Sequence, residues 1–194
     1  MHDIEPFFRW RHLYQAEQDK RSPFYRKVYD EFGFTNAIYN YYIHPQWDNF
    51  GSSTLYLKIL YTDYELGCTI IELIGEWNDT LHDDIMYLKR NIAEYMQDHG
   101  IFKFMLICDN VLNFHSGDNL YLDEWSQEVR EEGGWICCIN LLDHVFADFE
   151  DAYLQRYLFF ADEINEIEWR QMKPDQLITF IDSFINHSQK SLEF

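Results

Sequence analysis

The chain has 194 residues, of which 47% are hydrophobic and 19% aromatic, and its formal net charge is −19. This length fits one domain, and so many aromatic side chains favour a packed core over a disordered chain. The strong negative charge argues against nucleic acid and anionic membranes as partners, because both attract basic surfaces.

The charge is distributed unevenly along the chain. Residues 1–27 contain six of the fifteen Lys and Arg residues and four acids, so the rest carries nine bases against thirty acids. We interpret the basic segment as one that packs across the acidic body, because its aromatic residues are typical of buried anchors. A basic arm that binds a partner is the alternative.

The sequence shows no targeting or membrane-spanning signal. Its first twenty residues lack the apolar stretch of a signal peptide, and no stretch approaches the roughly 20 apolar residues that span a bilayer. The cysteines fall in predicted strands without disulfide-type spacing, at Cys68, Cys108, Cys137 and Cys138. These features predict a soluble, cytoplasmic protein with reduced, buried thiols.

The first part of the chain, residues 1–54, is predicted to be an N-terminal extension. Residues 4–20 have aromatic and polar side chains at helical spacing, which predicts a helix. The aromatic-rich residues 24–47 predict an extended segment that ends at His44-Pro45. A polar loop follows.

A β-hairpin is predicted next. Residues 55–61 alternate as a strand with one wetter face, and residues 68–77 should pair with them across a turn. Glu72 and Glu76 share one face of the second strand. Two carboxylates at that spacing could act as an acid–base pair, but solvated positions at the rim of a sheet are the commoner explanation.

From residue 68 to residue 142 the predicted order is strand, helix, strand, helix, strand. Thr80 and Asp83 have the spacing of a capping box at the start of the first helix. An apolar strand at residues 102–108 and a second helix follow, and Gly133-Gly134 ends that helix. Right-handed crossovers should place both helices on the same face of the sheet.

The last strand predicts what covers the other face. Residues 135–139 do not alternate between apolar and polar, which indicates burial on both faces. The candidates for the second cover are the aromatic N-terminal segment and the C-terminal helices, whose last member begins at Pro174.

The predicted fold is therefore a single α/β domain over residues 1–194. Its mixed sheet has a β-hairpin followed by a βαβαβ unit. Residues 68–142 form the core, residues 1–54 an aromatic-rich N-terminal extension, and residues 143–194 a helical C-terminal extension.

Three features of the core are shared with a known family. Residues 71–78 are an apolar run that ends in Gly-Glu-Trp-Asn before the first helix, and residues 111–117 are similar to a loop that ends in Asp-Ser-Ser-Gly. The spacing from Ser116 to the last strand also matches. In these features the core resembles the STAS domain, the fold of bacterial anti-sigma-factor antagonists and of the cytoplasmic tails of sulfate transporters.

The resemblance implies a regulatory domain that acts through protein contacts and carries a phosphoacceptor serine. His115 stands where the family has aspartate, and Gly117 replaces the second serine, which leaves Ser116 at the phosphoacceptor position. A following helix N-terminus would stabilise a phosphate there. An ordinary polar loop serine is the alternative.

Two functions stay open, because no glycine-rich phosphate loop, nucleophile elbow, zinc-protease motif or EF-hand loop occurs. The first is a non-enzymatic regulatory or adaptor domain that binds a protein partner or a second copy of itself, with no cofactor or metal. The second is an enzyme or small-ligand-binding protein of unidentified class, with a pocket at the carboxyl ends of the parallel strands. Candidate interaction or pocket residues are Asp109, Asn110, Asn113, His115, Ser116 and Asn140.

Overall fold

The N-terminal part of the chain consists of turns and one short hairpin in the computed structural model, which describes residues 4–30 and 32–191. The hairpin pairs β1 (Ala37–Ile38) with β2 (Tyr41–Tyr42). The helix predicted over residues 4–20 was wrong, because only isolated turns form there. Trp10 is buried, whereas Phe8 and Leu13 are at least half exposed.

A four-stranded mixed sheet forms the centre of the fold. β3 (Leu55–Asp63) pairs antiparallel with β4 (Cys68–Asn78), which pairs parallel with β5 (Lys103–His115). β6 (Trp135–Ile139) pairs parallel with the first part of β5, and the spatial order is β3-β4-β5-β6. This arrangement confirms the predicted β-hairpin followed by a βαβαβ unit.

One face of the sheet, which we call the helical face, is covered by the crossover helices. The first crossover contains α1 (Asp84–Leu88), a π-helical segment (Lys89–Ala93) and α2 (Glu94–Gln97), and the second contains α3 (Leu120–Glu131). Both pack into one buried cluster, as right-handed crossovers require. That cluster includes Ile85, Leu88, Ile92, Met96, Leu122, Trp125 and Val129.

The helix after the sheet, α4 (Asp143–Asp151), also lies on the helical face. Phe149 packs edge to face against Trp77 and Phe114. Several aromatic residues of the C-terminal extension, whose helices were candidates for the second cover, therefore belong to the first cover. They are Phe146, Phe149, Tyr157 and Phe160.

The opposite face, which we call the terminal face, is covered by segments from both ends of the chain. The rings of Phe7 and Trp10 pack edge to face on Trp169, in a 3₁₀ turn (Trp169–Gln171) that follows α5 (Asp162–Asn165). α6 (Pro174–Ser191) adds further apolar side chains. Both predicted covers are therefore present, and every residue of β6 is buried.

The crossover after β4 is capped differently from the predicted capping box. The Asp79 carboxylate accepts the Ile85 N–H at 2.7 Å, and the Thr80 hydroxyl donates to the Ser116 carbonyl instead. Asp83 makes no side-chain cap and has φ of 51°. The predicted pair of Thr80 and Asp83 was therefore wrong.

β5 runs well past its predicted end at residue 108. Its pairing with β6 stops at Ile107, but its pairing with β4 continues to His115 opposite Asn78. Val111 and Phe114 are buried on the helical face, which explains why the strand continues. Residues 111–115, which the sequence placed in a loop, are therefore strand residues.

Two findings bear on the environment of the protein. All four cysteines are free, buried thiols in the strands, as predicted, and burial raises the pKa of Cys68. None of the helices in the described part of the chain combines the length and apolar character needed to cross a bilayer.

Lys89 ties the two crossovers together. Its side chain is 0% exposed, and its ammonium group lies 2.8–3.1 Å from carboxylate oxygens of Glu94, Glu124 and Glu128. Burial opposes the charged form, but hydrogen bonds from Lys89 to the three glutamates outweigh it, so the pKa of Lys89 is raised. The π-helical segment begins at this residue.

Replacing Lys89 with methionine tests this tie. Lys89→Met removes charge-assisted hydrogen bonds inside the fold, so we expect the free energy of unfolding to fall by about 2 kcal/mol. Urea denaturation measures the change.

The neighbouring Arg90→Met is the matched control, because the Arg90 side chain contacts Glu94 and Glu124 but is 47% exposed. Exposed ion pairs stabilise little, so its effect should be clearly smaller. Equal effects of the two substitutions would contradict a special role for Lys89.

Candidate functional site

Glu72 is a charged group buried in the terminal face. It is 1% exposed, its Oε2 accepts the Phe7 N–H at 2.8 Å, and its Oε1 lies 3.3 Å from Nη2 of Arg170. Burial raises the pKa of Glu72 to about 7, although the Phe7 hydrogen bond and the Arg170 charge oppose this. The solvated position predicted for Glu72 was therefore wrong.

Arg170 links Glu72 to Asp109. Its guanidinium group contacts the Asp109 carboxylate, which also accepts the Trp169 indole N–H at 3.0 Å. The guanidinium carbon lies 4.3 Å from the centroid of the Trp169 ring, a cation–π distance. Two carboxylates, one guanidinium and one indole therefore form a connected polar cluster.

A recess of about 710 Å³ opens beside this cluster, and we call it the Asp109 recess. It lies where the chain leaves β6, since Asn140 follows the last residue of that strand. The residues that line it are Asp109, Asn140, Leu141, Leu142, Asp143, His144, Asn165, Glu166, Ile167, Glu168, Trp169 and Arg170.

The wall of the recess is held by two asparagines. The Asn165 side chain accepts the Leu141 N–H at 2.7 Å and donates to the Leu141 carbonyl at 2.9 Å. Asn140 has φ of 56°, and its amide group donates to the Ile167 carbonyl at 3.0 Å. Its Oδ1 is buried and receives no hydrogen bond from the described residues. Such an acceptor costs about 1–3 kcal/mol.

The sequence-predicted site residues divide between this recess and the outer end of β5. Asp109 and Asn140 line the recess together, whereas Asn113, His115 and Ser116 do not. Asn110 follows Asp109 and lies opposite Ile74 of β4. The structure thus places the six residues along β5 and directly after the ends of β5 and β6 rather than in one pocket.

At the outer end, Asn113 and His115 make specific contacts. The Asn113 amide donates to the Tyr39 hydroxyl at 2.7 Å, and the His115 Nε2 lies 3.2 Å from the Glu76 carboxylate. Gly75 precedes Glu76 with φ of 126°, and a Cβ there would lie 2.1 Å from the Thr54 carbonyl. Only glycine fits at this close approach.

Ser116 is exposed directly after β5. Its hydroxyl lies 3.4 Å from the neighbouring Gly117 carbonyl, and His115 contacts Glu76 instead of this serine. His115 and Ser116 therefore do not form a base–nucleophile pair. Among the side chains that the structure describes, no three His, Cys, Asp or Glu residues are placed to hold a metal ion.

The β1–β2 hairpin adds an aromatic surface next to Asn113. Tyr39, Tyr41 and Tyr42 are 58%, 51% and 54% exposed, and the first two line an apolar recess of about 220 Å³. We call the three tyrosines and this recess the tyrosine face. The recess is lined by Ile4, Ile38, Tyr39, Tyr41, Ile43, Ile74 and Leu112.

Sequence reasoning missed Trp169, Arg170 and the exposure of the hairpin tyrosines. A signal for Arg170 existed, since it is a single base after Glu163, Glu166 and Glu168 and directly follows a tryptophan. The tyrosines had no such signal, because aromatic residues are as typical of a core as of an interface.

Comparison with known proteins assigns no family. No protein-family model matches the chain, and no curated protein matches it significantly. The likeness to STAS domains therefore stays a prediction from three motifs, and the site has to be interpreted from its own geometry.

The raised pKa of Glu72 predicts how stability depends on pH. Folding raises this pKa from its ordinary value of 4.5 to about 7, so the native state binds the proton more tightly than the unfolded chain in that window. The contribution of Glu72 to the free energy of unfolding should therefore fall as pH rises from 5 to 8, by at most about 3 kcal/mol.

Urea denaturation of wild type and Glu72→Gln at several pH values measures this contribution. Burial raises the pKa of Asp79 to about 7 as well, but Asp79 is common to both proteins and cancels in the difference. Parallel pH profiles of the two proteins would contradict the prediction.

Proposed function

We propose that this protein is a non-enzymatic regulatory or adaptor domain that binds a protein partner through the tyrosine face. The proposal is supported by three tyrosines, each more than half exposed, two of which line an apolar recess. Tyrosine is enriched at protein interfaces, and interface anchors typically fill pockets of this kind.

Buried side chains fix the hairpin on the central sheet, and this favours binding. Ile38, Ile43 and Trp47 are buried in one cluster with Tyr56 and Ile74 of the sheet. The Trp47 indole N–H donates to the Ile4 carbonyl at 2.8 Å. A surface that is already ordered loses little conformational entropy when a partner binds.

The likeness to STAS domains supports a binding surface at the same end of the molecule. β5 leads from Asn113, which contacts Tyr39, to the exposed Ser116 within three residues. In the proposed function Ser116 is a phosphoacceptor whose modification changes the charge at the edge of the tyrosine face. The net charge of −19 favours a basic partner surface, and the buried free thiols favour a cytoplasmic location.

Site-specific photo-crosslinking in native cells tests the proposal. A photoreactive phenylalanine analogue replaces Tyr41, which lines the recess, in one protein and Tyr153 in another, since these tyrosines are 51% and 59% exposed. We expect one defined protein to crosslink at position 41 and not at position 153, because Tyr153 lies outside the tyrosine face.

The crosslinked mass distinguishes a separate partner from a second copy of this chain. Equal crosslinking at both positions, or none at position 41, would contradict a docking role for the tyrosine face. The matched exposure of the two positions removes general accessibility as an explanation.

A further inference from the structure

We infer that the Asp109 recess binds a small organic cation that carries N–H donors and a short apolar chain, such as an alkylguanidinium or alkylammonium ion. Its volume of about 710 Å³ lies within the usual range of small-molecule sites, about 300–1,000 Å³.

The charges around the recess select a cation. Four carboxylates line it against one guanidinium group, that of Arg170. Arg170 is already paired with Asp109 and Glu72. Asp143 and Glu166 make no ion pair with the described residues, so their charges are available to a ligand.

The hydrogen-bonding groups of the recess select a donor. The carboxylates of Asp143 and Glu166 are exposed and can only accept hydrogen bonds. An anionic ligand would add acceptors beside four carboxylates. A ligand that carries N–H groups would instead donate to them.

Apolar side chains complete the match to an alkyl chain. Leu141, Leu142 and Ile167 line the same recess as the acids. Ligand sites commonly combine such an apolar lining with a few polar groups that fix orientation. The charged group of an alkyl cation would contact the acids, and its alkyl chain would contact the apolar side chains.

This site is independent of the proposed adaptor function. None of the residues that line the apolar recess of the tyrosine face lines the Asp109 recess. A negative result for cation binding at the Asp109 recess therefore does not count against protein binding at the tyrosine face, and the reverse also holds.

Isothermal titration calorimetry of the full chain tests the inference with butylguanidinium, butylammonium and the neutral butylurea. At least one cation should bind tenfold or more tightly than butylurea. Glu166→Gln should weaken that binding at least fivefold, since it removes a carboxylate of the recess.

Asn140→Gly should weaken cation binding as well, because it removes the amide that donates to the Ile167 carbonyl in the wall of the recess, while glycine tolerates the φ of 56°. Glu131→Gln makes the same charge change as Glu166→Gln at an exposed position outside the recess. The affinity of this variant for the cation should therefore stay within twofold of wild type.

The inference is overturned if neither cation binds more tightly than butylurea. It is also overturned if Glu131→Gln weakens binding as much as Glu166→Gln, since the cation would then be attracted only by the overall negative charge. Glu166→Gln keeps the test valid if Asn140→Gly does not fold.

Discussion

The buried carboxylate of Glu72 is the interaction on which the terminal face depends. Burying a charge is costly unless it is paired and hydrogen-bonded, and the Phe7 N–H and the Arg170 guanidinium offset part of that cost for Glu72. One side chain of the central sheet therefore fixes residues from both ends of the chain. Arg170 in turn contacts Asp109 and stacks on Trp169, so the wall of the Asp109 recess depends on the same carboxylate.

Local patterns explain why much of the fold could be predicted. The period of the strands and the crossover helices depends on nearby residues, and the lack of alternation in β6 indicated a second cover. The burial of Glu72 was different, because its partners lie 65 and 98 residues away along the chain. The helix prediction for the N-terminal segment failed for a similar reason, since tertiary contacts of Phe7 and Trp10 override local periodicity.

The candidate site could be predicted only in part, because strand lengths were not visible in the sequence. Carboxyl ends of parallel strands meet at one edge when the strands end together. β6 ends opposite Ile107, whereas β5 continues to His115, so Asp109 reaches the recess beside Asn140 and Asn113 does not. The outer half of β5 instead supports the tyrosine hairpin, and two separate surfaces result.

Hydrogen exchange in Glu72→Ala and wild type tests most directly whether one carboxylate holds both ends of the chain. The informative amides are those of Tyr14, which donates to the Trp10 carbonyl, and Met172, which donates to the Trp169 carbonyl. Neither amide contacts Glu72, so each reports on its segment as a whole. We predict that both lose protection together while amides of α3 on the helical face keep theirs. Unchanged exchange at either amide would contradict this prediction.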